Sequence, residues 1–358
     1  MKILYLADAN SVHTKKWCDF FLKKGYEIVV VSLGDGEIPG VRVHSMGITG
    51  FAERSQVSKL FTYFSKAGAV RQIVLREKPD IIHAHYATSY GILAARLGIH
   101  PYILSVWGSD VYDFPKSGFL QRRLLEYNLR QADYILSTSH AMKKETEQYT
   151  DKEILVTPFG VDTHVYRPMD VDKLSEFTVG TVKSFYPKYG MTYLIEGYHQ
   201  FLQETGATDS KLLLVGSGPQ ESELRDLTKS LEIESRVLFP GFVDQEGVIR
   251  AFNQMDVAVF PSVLDSESFG VAAVEAGACG TPTIVSNVGG LPEATKPNET
   301  SLLVPAEDSK AIADALIKLY SEPILREKMG EAARDFVMNT YQIDSNFDEV
   351  DAIYRRLA

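Results

Sequence analysis

Two glutamates, Glu267 and Glu275, are separated by seven residues in a segment whose other side chains are mostly small or apolar. An apolar run at 257–260 lies before them and predicts a buried parallel strand. After Glu275 the small residues continue to Gly280 and Pro282. A helix is predicted to stop there, because glycine tolerates the left-handed conformation that ends a helix and proline cannot continue one. The glutamates therefore belong to a strand–loop–helix unit, one in the loop and one in the helix.

Carboxylates at these two positions could hold a ligand along the helix. A carboxylate on an apolar helix is costly unless something hydrogen-bonds it. Eight helical residues rise roughly 12 Å, which is the reach of a sugar, a diphosphate and a ribose in line. Glu267 would then accept hydrogen bonds from sugar hydroxyls, and Glu275 from the ribose diol. The simpler alternative is that Glu267 caps the helix and Glu275 faces water.

The start of the same helix is a candidate anion site, because backbone N–H groups at a helix N-terminus attract negative charge. A diphosphate between the two glutamates would face these groups. The candidate residues of this turn are Ser268, Phe269, Gly270 and Val271.

A family resemblance rests on this segment together with its glycines and prolines. Phe269-Gly270, the closing Gly-Thr-Pro at 280–282 and Gly-Gly-Leu-Pro-Glu at 289–293 accompany the two glutamates. The whole run resembles the Glu-x7-Glu signature of the retaining glycosyltransferases of family four. The resemblance is specific for residues 256–293 and looser elsewhere. It implies an α/β GT-B fold, two Rossmann-like doubly wound domains that face each other across a cleft, and a nucleotide-sugar donor held mainly by the second.

A second loop of the same half carries two lysines, Lys183 and Lys188, between a predicted strand and Gly190. Positive charges there could neutralise a diphosphate and its leaving group. Members of the family usually carry an arginine and a lysine in this loop, so the resemblance implies catalytic roles for both lysines. Tyr189 is either an extra residue or the sign of a one-residue shift in register. The alternative is a pair of solvated loop lysines.

Two further loops of this half resemble segments that contact the donor in the family. Gly216 belongs to a glycine turn after a predicted strand. A dinucleotide fingerprint does not fit this turn, because Glu221 occupies the third glycine position. Phe242 lies in the segment 239–243, where the family approaches the nucleotide base through backbone groups.

In the first half, candidate contacts to acceptor or sugar are Asn10, His13 and His85. The first two lie in the loop after the first predicted strand, which resembles a branch of the family with an Asn-Ser-x-His-Thr run. His83 and His85 share a face of their strand by alternation, so at most His85 reaches the cleft. A metal site is not predicted, because no nearby carboxylate or cysteine completes a ligand set.

Asp110 is the remaining candidate of the first half. It follows Trp107, which stands where the family usually has a histidine that contacts the sugar. This leaves Asp110 as the best polar group to bond hydroxyls of the acceptor or the sugar. A loop cap is the alternative.

Strand and helix patterns alternate through both halves of the 358 residues, as is typical of doubly wound parallel sheets. The predicted domains are an N-terminal acceptor domain at 1–165 and a C-terminal donor domain at 166–340. A terminal helix at about 341–358 is expected to pack back on the first domain. Ligands of such sheets bind beyond the C-terminal ends of the strands, so the expected site is the cleft between the halves.

Composition limits the partners and the location. The net charge of −10 argues against broad nucleic-acid binding. Residues 51–130 nevertheless hold 11 basic and 6 acidic side chains, and 114–130 mixes basic with apolar residues. This is compatible with peripheral contact to anionic lipid, although scatter of charge explains it equally well. With no apolar run of spanning length and two unpartnered cysteines, the predicted location is the cytoplasm or the inner face of the membrane.

The expected function is that of a metal-independent retaining glycosyltransferase without a cofactor. The family precedent implies front-side attack, with transfer from a nucleotide-diphosphate sugar to a glycan or lipid-linked acceptor. The enzyme would supply orientation and charge stabilisation. Two alternatives remain: a nucleotide-sugar epimerase on the same fold, and a non-catalytic partner that binds nucleotide-sugar or glycan.

Overall fold

A computed structural model describes residues 1–48 and 56–357, with the side chains of 56–61 left out. The chain forms two compact units. Unit 1 comprises Met1–Pro158 together with Asn346–Ala358, and unit 2 comprises Phe159–Ser345.

Unit 1 is built on a seven-stranded parallel sheet with the order β3-β2-β1-β4-β5-β6-β7. Its strands are β1 Lys2–Leu6, β2 Glu27–Ser32, β3 Arg42–Ser45, β4 Ile81–His85, β5 Tyr102–Val106, β6 Tyr134–Ser137 and β7 Ile154–Val156. Every residue of β4 and of β5 is buried, because helices cover both faces of a parallel sheet. The helices are α1 Val12–Lys23, α2 Gln56–Glu77, α3 Gly91–Leu97, α4 Ser109–Tyr112, α5 Phe119–Gln131 and α6 His140–Thr146.

Two shorter pieces connect these helices in unit 1. A π-helical turn, Tyr86–Tyr90, joins β4 to α3, and a 3₁₀ turn, Phe114–Ser117, precedes α5. Both turns lie after the C-terminal ends of buried strands, at the edge where ligands of such sheets bind.

The last helix of the chain, α14 (Ile343–Leu357), contributes side chains to the interior of unit 1. The hydroxyl of Tyr354 lies 2.5 Å from Nδ1 of His83 and 3.2 Å from the hydroxyl of Tyr5. The ring of Phe347 lies 5.0 Å from that of Trp17. These aromatic side chains are almost without exposed surface, so the C-terminal residues complete the core of the unit that begins with the N-terminus.

Unit 2 has a six-stranded parallel sheet with the order β10-β9-β8-β11-β12-β13. Its strands are β8 Phe177–Val182, β9 Ser210–Val215, β10 Val237–Gly241, β11 Val257–Phe260, β12 Thr283–Ser286 and β13 Ser301–Val304. Its helices are α7 Met191–Thr205, α8 Glu221–Ser230, α9 Gln245–Gln254, α10 Val271–Ala278, α11 Leu291–Ala294, α12 Ser309–Ser321 and α13 Pro323–Thr340, with 3₁₀ turns at Pro187–Tyr189 and Glu234–Arg236. The two doubly wound parallel sheets predicted from the sequence are therefore present.

Candidate functional site

Lys183 and Glu267 meet beyond the C-terminal edge of the sheet in unit 2. They follow β8 and β11, which are neighbouring parallel strands, so their loops leave the sheet at the same edge. Nζ of Lys183 lies 2.7 Å from Oε2 of Glu267, and Oγ of Ser262 donates to the same oxygen at 3.1 Å. The Glu267 side chain is only 9% exposed. A carboxylate buried to this degree is stable because a cation and a hydroxyl pair with it.

The ring of Tyr189 lies close to both lysines of its loop, Lys183 and Lys188. Nζ of Lys183 lies 4.4 Å from the ring centroid of Tyr189, and Nζ of Lys188 lies 4.9 Å from it. Both distances are within the range of cation–π attraction. The backbone N–H of Val263 donates to the carbonyl of Lys188 at 2.9 Å, which joins this loop to the one that carries Glu267. Tyr189 is thus a contact of both lysines, and Lys183 is the one that reaches Glu267.

Glycines allow the backbone to pass close to both members of the ion pair. A Cβ atom on Gly216 would lie 2.0 Å from the carbonyl oxygen of Lys183, and one on Gly289 would lie 2.2 Å from that of Glu267. The N–H of Gly290 also donates to the Glu267 carbonyl at 2.9 Å. Gly216, a predicted donor-binding residue, therefore has a packing role beside Lys183.

The predicted anion-binding turn leads directly into α10. Gly270 has φ +91° in the left-handed region that favours glycine, and Ala273 and Val274 donate their N–H groups to its carbonyl. Phe269 is buried with its ring 5.1 Å from that of Tyr341, so its side chain is not available to a ligand. The turn Ser268, Phe269, Gly270 and Val271 is the predicted diphosphate site.

Glu275 lies one turn further along α10 and is half-buried. The phenol of Tyr166, near the start of unit 2, hydrogen-bonds with it. Burial and the charge of Glu275 raise the pKa of Tyr166 well above its usual range. Glu275 is thus held by a neighbour and is not a solvated surface charge. Phe242, by contrast, leaves 85% of its surface exposed.

Unit 1 contains a cavity of about 920 Å³ beyond the C-terminal ends of β1, β4 and β5. The predicted residues Asn10 and His85 line it. Its lining residues are Asp8, Asn10, Ser11, Leu33, Gly34, Tyr63, His85, Tyr86, Thr88, Ser89, Tyr90, Trp107, Ser109, Asp113, Phe114 and Ser117. His13, the third predicted residue, packs its ring 5.8 Å from that of Trp107, and burial lowers its pKa to about 4.

His85 is buried among aromatic rings at the end of β4. Its ring centroid lies 4.6 Å from that of Trp107 and 5.1 Å from that of Trp17. Neither ring nitrogen has a hydrogen-bond partner in the described part of the chain. Burial lowers the pKa of His85 well below its usual range, so the imidazole is neutral. His83 differs, because Tyr354 and Ser105 occupy its two nitrogens at 2.5 and 2.7 Å.

Asp110 is fully buried, and backbone groups surround its carboxylate. The N–H groups of Ala87, Trp107 and Gly108 donate to it at 2.7–3.3 Å. Burial raises the pKa of Asp110, and these hydrogen bonds oppose the rise. The geometry is that of a loop cap, in which the Asp110 carboxylate joins the turn Tyr86–Tyr90 to the backbone at Trp107 and Gly108. Direct contact of Asp110 with a sugar stays a prediction.

Membrane contact and metal binding both concern groups at the surface of the chain. Phe119 and Leu120, at the start of α5, are 69% and 77% exposed, and Arg123 lies over the ring of Phe119. Membrane contact through this region stays a prediction. Among residues 1–48 and 56–357, no helix has the length and apolar character needed to cross a membrane. The same residues hold no cluster of three potential metal ligands. Asp170 and Asp172 form an Asp-x-Asp pair in unit 2, and both are exposed.

Two doubly wound parallel sheets in one chain are the architecture of the GT-B class of proteins. The solved structure of Anabaena HepE in complex with UDP is similar over 99% of this chain and 100% of that chain, with a TM-score of 0.81 and 18% identity. The predicted α/β GT-B fold is thereby confirmed.

Similarity to known sequences narrows the class to a family. Residues 2–139 match the family model "Glycosyl transferase 4-like", and residues 170–336 match "Glycosyl transferases group 1". D-inositol 3-phosphate glycosyltransferase from Corynebacterium glutamicum is 30% identical over 74% of this chain and 70% of that protein. N-acetyl-alpha-D-glucosaminyl L-malate synthase from Bacillus anthracis is 27% identical over 93% of this chain and 90% of that protein. The chain belongs to the group 1 glycosyltransferases.

Proposed function

We propose that the chain is a retaining hexosyltransferase that moves a sugar from a nucleotide-diphosphate sugar to a hydroxyl of a glycan or lipid-linked acceptor. The observation that carries this proposal is the pairing of Lys183 with Glu267 just before α10 in unit 2. A half-buried cation and a helix N-terminus beside a buried carboxylate suit a ligand with a diphosphate at one end and hydroxyls at the other. Membership of the family supports the same reaction class.

In the proposed reaction the bond between the anomeric carbon and the diphosphate oxygen breaks. The acceptor oxygen forms its new bond to that carbon from the same face, so the configuration is kept. The acceptor proton passes to the leaving phosphate oxygen. The chain contributes orientation and charge stabilisation and no covalent intermediate.

The residues of unit 2 divide these tasks. Lys183 and Lys188, with the N–H groups of 268–271, stabilise the negative charge that develops on the diphosphate. Glu267 orients the sugar by accepting hydrogen bonds from its hydroxyls, and Glu275 holds the ribose diol. Because the lysines supply positive charge, the reaction is expected to need no metal ion.

The residues of unit 1 serve the acceptor in this proposal. Asn10 and His85 line the cavity of about 920 Å³, which is within the size range of ligand pockets. His13 reaches the same region through its contact with the ring of Trp107. The N-terminal acceptor domain and the C-terminal donor domain are the proposed division of labour.

The test begins with the nucleotide. The shift in melting temperature of the full chain with uridine, guanosine and adenosine diphosphates identifies the base, because a ligand that binds the folded state stabilises it. HepE, whose fold is similar, was solved with UDP, so uridine diphosphate is the first to try.

The activity test then uses the corresponding nucleotide-sugars, without and with acceptors and after treatment with EDTA. Slow release of sugar and nucleotide, and transfer to an acceptor with the anomeric configuration kept, support the proposal. Formation of an epimer would identify an epimerase instead. Binding without any turnover would identify a non-catalytic partner and overturn the proposal. Loss of activity with EDTA, restored by a divalent ion, would contradict metal independence alone.

A further inference from the structure

We propose that the cavity in unit 1 selects an acceptor that is a polyhydroxylated ring without negative charge, a neutral or amine-bearing saccharide or cyclitol. The inference rests on the proposed function and names the acceptor class for it. Three observations support it: the charge of the lining, its aromatic faces and the unpartnered imidazole of His85.

The charged residues that line the cavity are both acidic. Asp8 and Asp113 are exposed at its wall, and the described lining residues include neither lysine nor arginine. The nearby Lys116 is paired with Glu145 at 3.0 Å. A carboxylate or phosphate on the acceptor would meet like charges and no cationic partner among the described lining residues, and juxtaposed like charges work against binding. An amine would find a counter-charge, and a hydroxyl would find an acceptor.

The aromatic residues of the lining favour a ring-shaped ligand. Tyr86, Tyr90, Trp107 and Phe114 are aromatic residues of the lining and supply it with apolar surface. The C–H face of a saccharide ring can lie on such surfaces while its hydroxyls point to polar groups. Hydroxyl side chains of Ser11, Thr88, Ser89 and Ser109 stand among the aromatic ones, so both requirements are met in the same space.

His85 supplies the most specific contact. It is 1% exposed, lines the cavity and has neither nitrogen paired within the described part of the chain. A neutral imidazole carries one donor and one acceptor, and a hydroxyl group can satisfy either of them. Buried polar groups without partners are rare because they lose their hydrogen bonds to water. A ring hydroxyl at this position would restore one.

The test compares acceptors that differ only in charge: glucose with glucuronic acid, glucosamine with glucosamine 6-phosphate, and myo-inositol with myo-inositol 1-phosphate. Binding to the full chain in the presence of the nucleoside diphosphate, and transfer from the donor, are both measured. We expect the neutral or amine-bearing member of a pair to be preferred at least about tenfold. Equal binding, preference for the anionic member, or no binding of any member at millimolar concentration would overturn the inference.

Two variants connect the preference to the cavity. The double variant Asp8→Asn/Asp113→Asn should reduce the difference in affinity between the neutral and the anionic member of each pair. His85→Phe keeps an aromatic ring in place and should raise the KM for the acceptor about tenfold, much more than the KM for the donor. His164→Phe, on the surface of unit 2, is the control and should change neither. If His85→Phe changes both KM values equally, the contact is structural.

The outcomes separate this inference from the proposed function. Release of sugar from the donor in the absence of acceptor tests the function alone. Should the donor be turned over while anionic acceptors are preferred, the function stands and the acceptor class is wrong. Should no donor be turned over, the function fails first.

Discussion

Nζ of Lys183 lies 2.7 Å from Oε2 of Glu267, although the two residues follow different strands of the sheet in unit 2. Their side chains are 17% and 9% exposed. Removing two charges from water is expensive, and the attraction between them offsets the cost only when the geometry is good. A pair of this kind is already oriented before a ligand arrives, which is what charge stabilisation of a leaving group requires.

Replacing Lys183 with methionine should separate catalysis from stability. Lys183→Met removes the charge and keeps the length of the side chain, so we expect kcat to fall about 10²-fold or more. The free energy of unfolding should also decrease, because Glu267 stays buried without its cation. The measurements are steady-state kinetics and denaturant unfolding.

The matched control is Lys310→Met. Lys310 forms ion pairs with Glu204 and Asp314 on the surface of the same unit. Exposed ion pairs contribute little to stability, so this variant should keep its activity and most of its stability. Equal effects of Lys183→Met and Lys310→Met on kcat would contradict the role given to Lys183.

The ribose contact can be tested with nucleoside diphosphate alone. Glu275→Ala should weaken the binding of the nucleotide by about 1–3 kcal/mol, because the diol loses its acceptor. Tyr166→Phe removes only the hydroxyl that hydrogen-bonds with Glu275, so its effect should be smaller. Calorimetric titration measures both, with the exposed Glu331→Ala as control. Unchanged affinity in Glu275→Ala would rule out the ribose assignment.

Two glycines in the left-handed region give a steric test of the site. Gly289→Ala would place a Cβ atom 2.2 Å from the carbonyl oxygen of Glu267, whereas Gly206→Ala meets nothing within 4 Å. Both variants carry the cost of a left-handed alanine, about 1–2 kcal/mol. Only Gly289→Ala should in addition shift Glu267 and reduce donor turnover. Similar turnover in the two variants would show that the Glu267 backbone can move without loss.

The buried histidines of unit 1 predict a loss of stability in acid. Burial lowers the pKa of His83 to about 3, while in the unfolded chain a histidine titrates near 6.5. The unfolded state therefore binds the proton first as the pH falls from about 6.5 toward 3. Over that window this histidine lowers the free energy of unfolding by about 1.4 kcal/mol for each unit by which the pH falls.

His83→Gln should reduce the dependence of the unfolding free energy on pH by up to one proton. Ser105→Ala is the matched variant, because it removes a hydrogen bond to His83 and keeps the imidazole. It should lower stability at every pH and leave the slope largely as it is. Unfolding by denaturant at pH 7, 6 and 5 measures the slope. An identical slope in His83→Gln and the unmodified chain would contradict the prediction.

Most of the sheet could be predicted from the sequence, because strands buried on both faces are continuous apolar runs. For example, the apolar pattern after Pro79 predicts a strand at 80–84, and the structure has one at Ile81–His85. The strand extends to His85 because that side chain is buried among aromatic rings. A polar residue at the end of an apolar run does not by itself indicate such burial. The helix at His140–Thr146 was missed. Its start depends on the hydroxyl of Ser139, which accepts from the N–H of Met142.

The site was predictable to the extent that its residues are close in the sequence. The loop and helix that carry Glu267 and Glu275 form one local unit, and their spacing was visible. Which groups pair with them was not, because Lys183 and Tyr166 come from distant segments. The loop pattern that marked Lys183 does not indicate its partner, and Tyr166 carries no local signal. Tyr189 was visible only as an extra residue or a one-residue shift in register, and its contact with both lysines required the structure.

The aromatic contacts of Tyr354 and Phe347 with the core of unit 1 have a consequence for biosynthesis. The first 158 residues leave the ribosome long before the segment that closes their hydrophobic interior has been translated. Until then, Trp17 and His83 of the nascent N-terminal half lack their contacts with Phe347 and Tyr354 and are accessible to chaperones. Expression of that half without residues 346–358 should yield an aggregation-prone fragment, and supplying those residues as a fused C-terminal segment should rescue it.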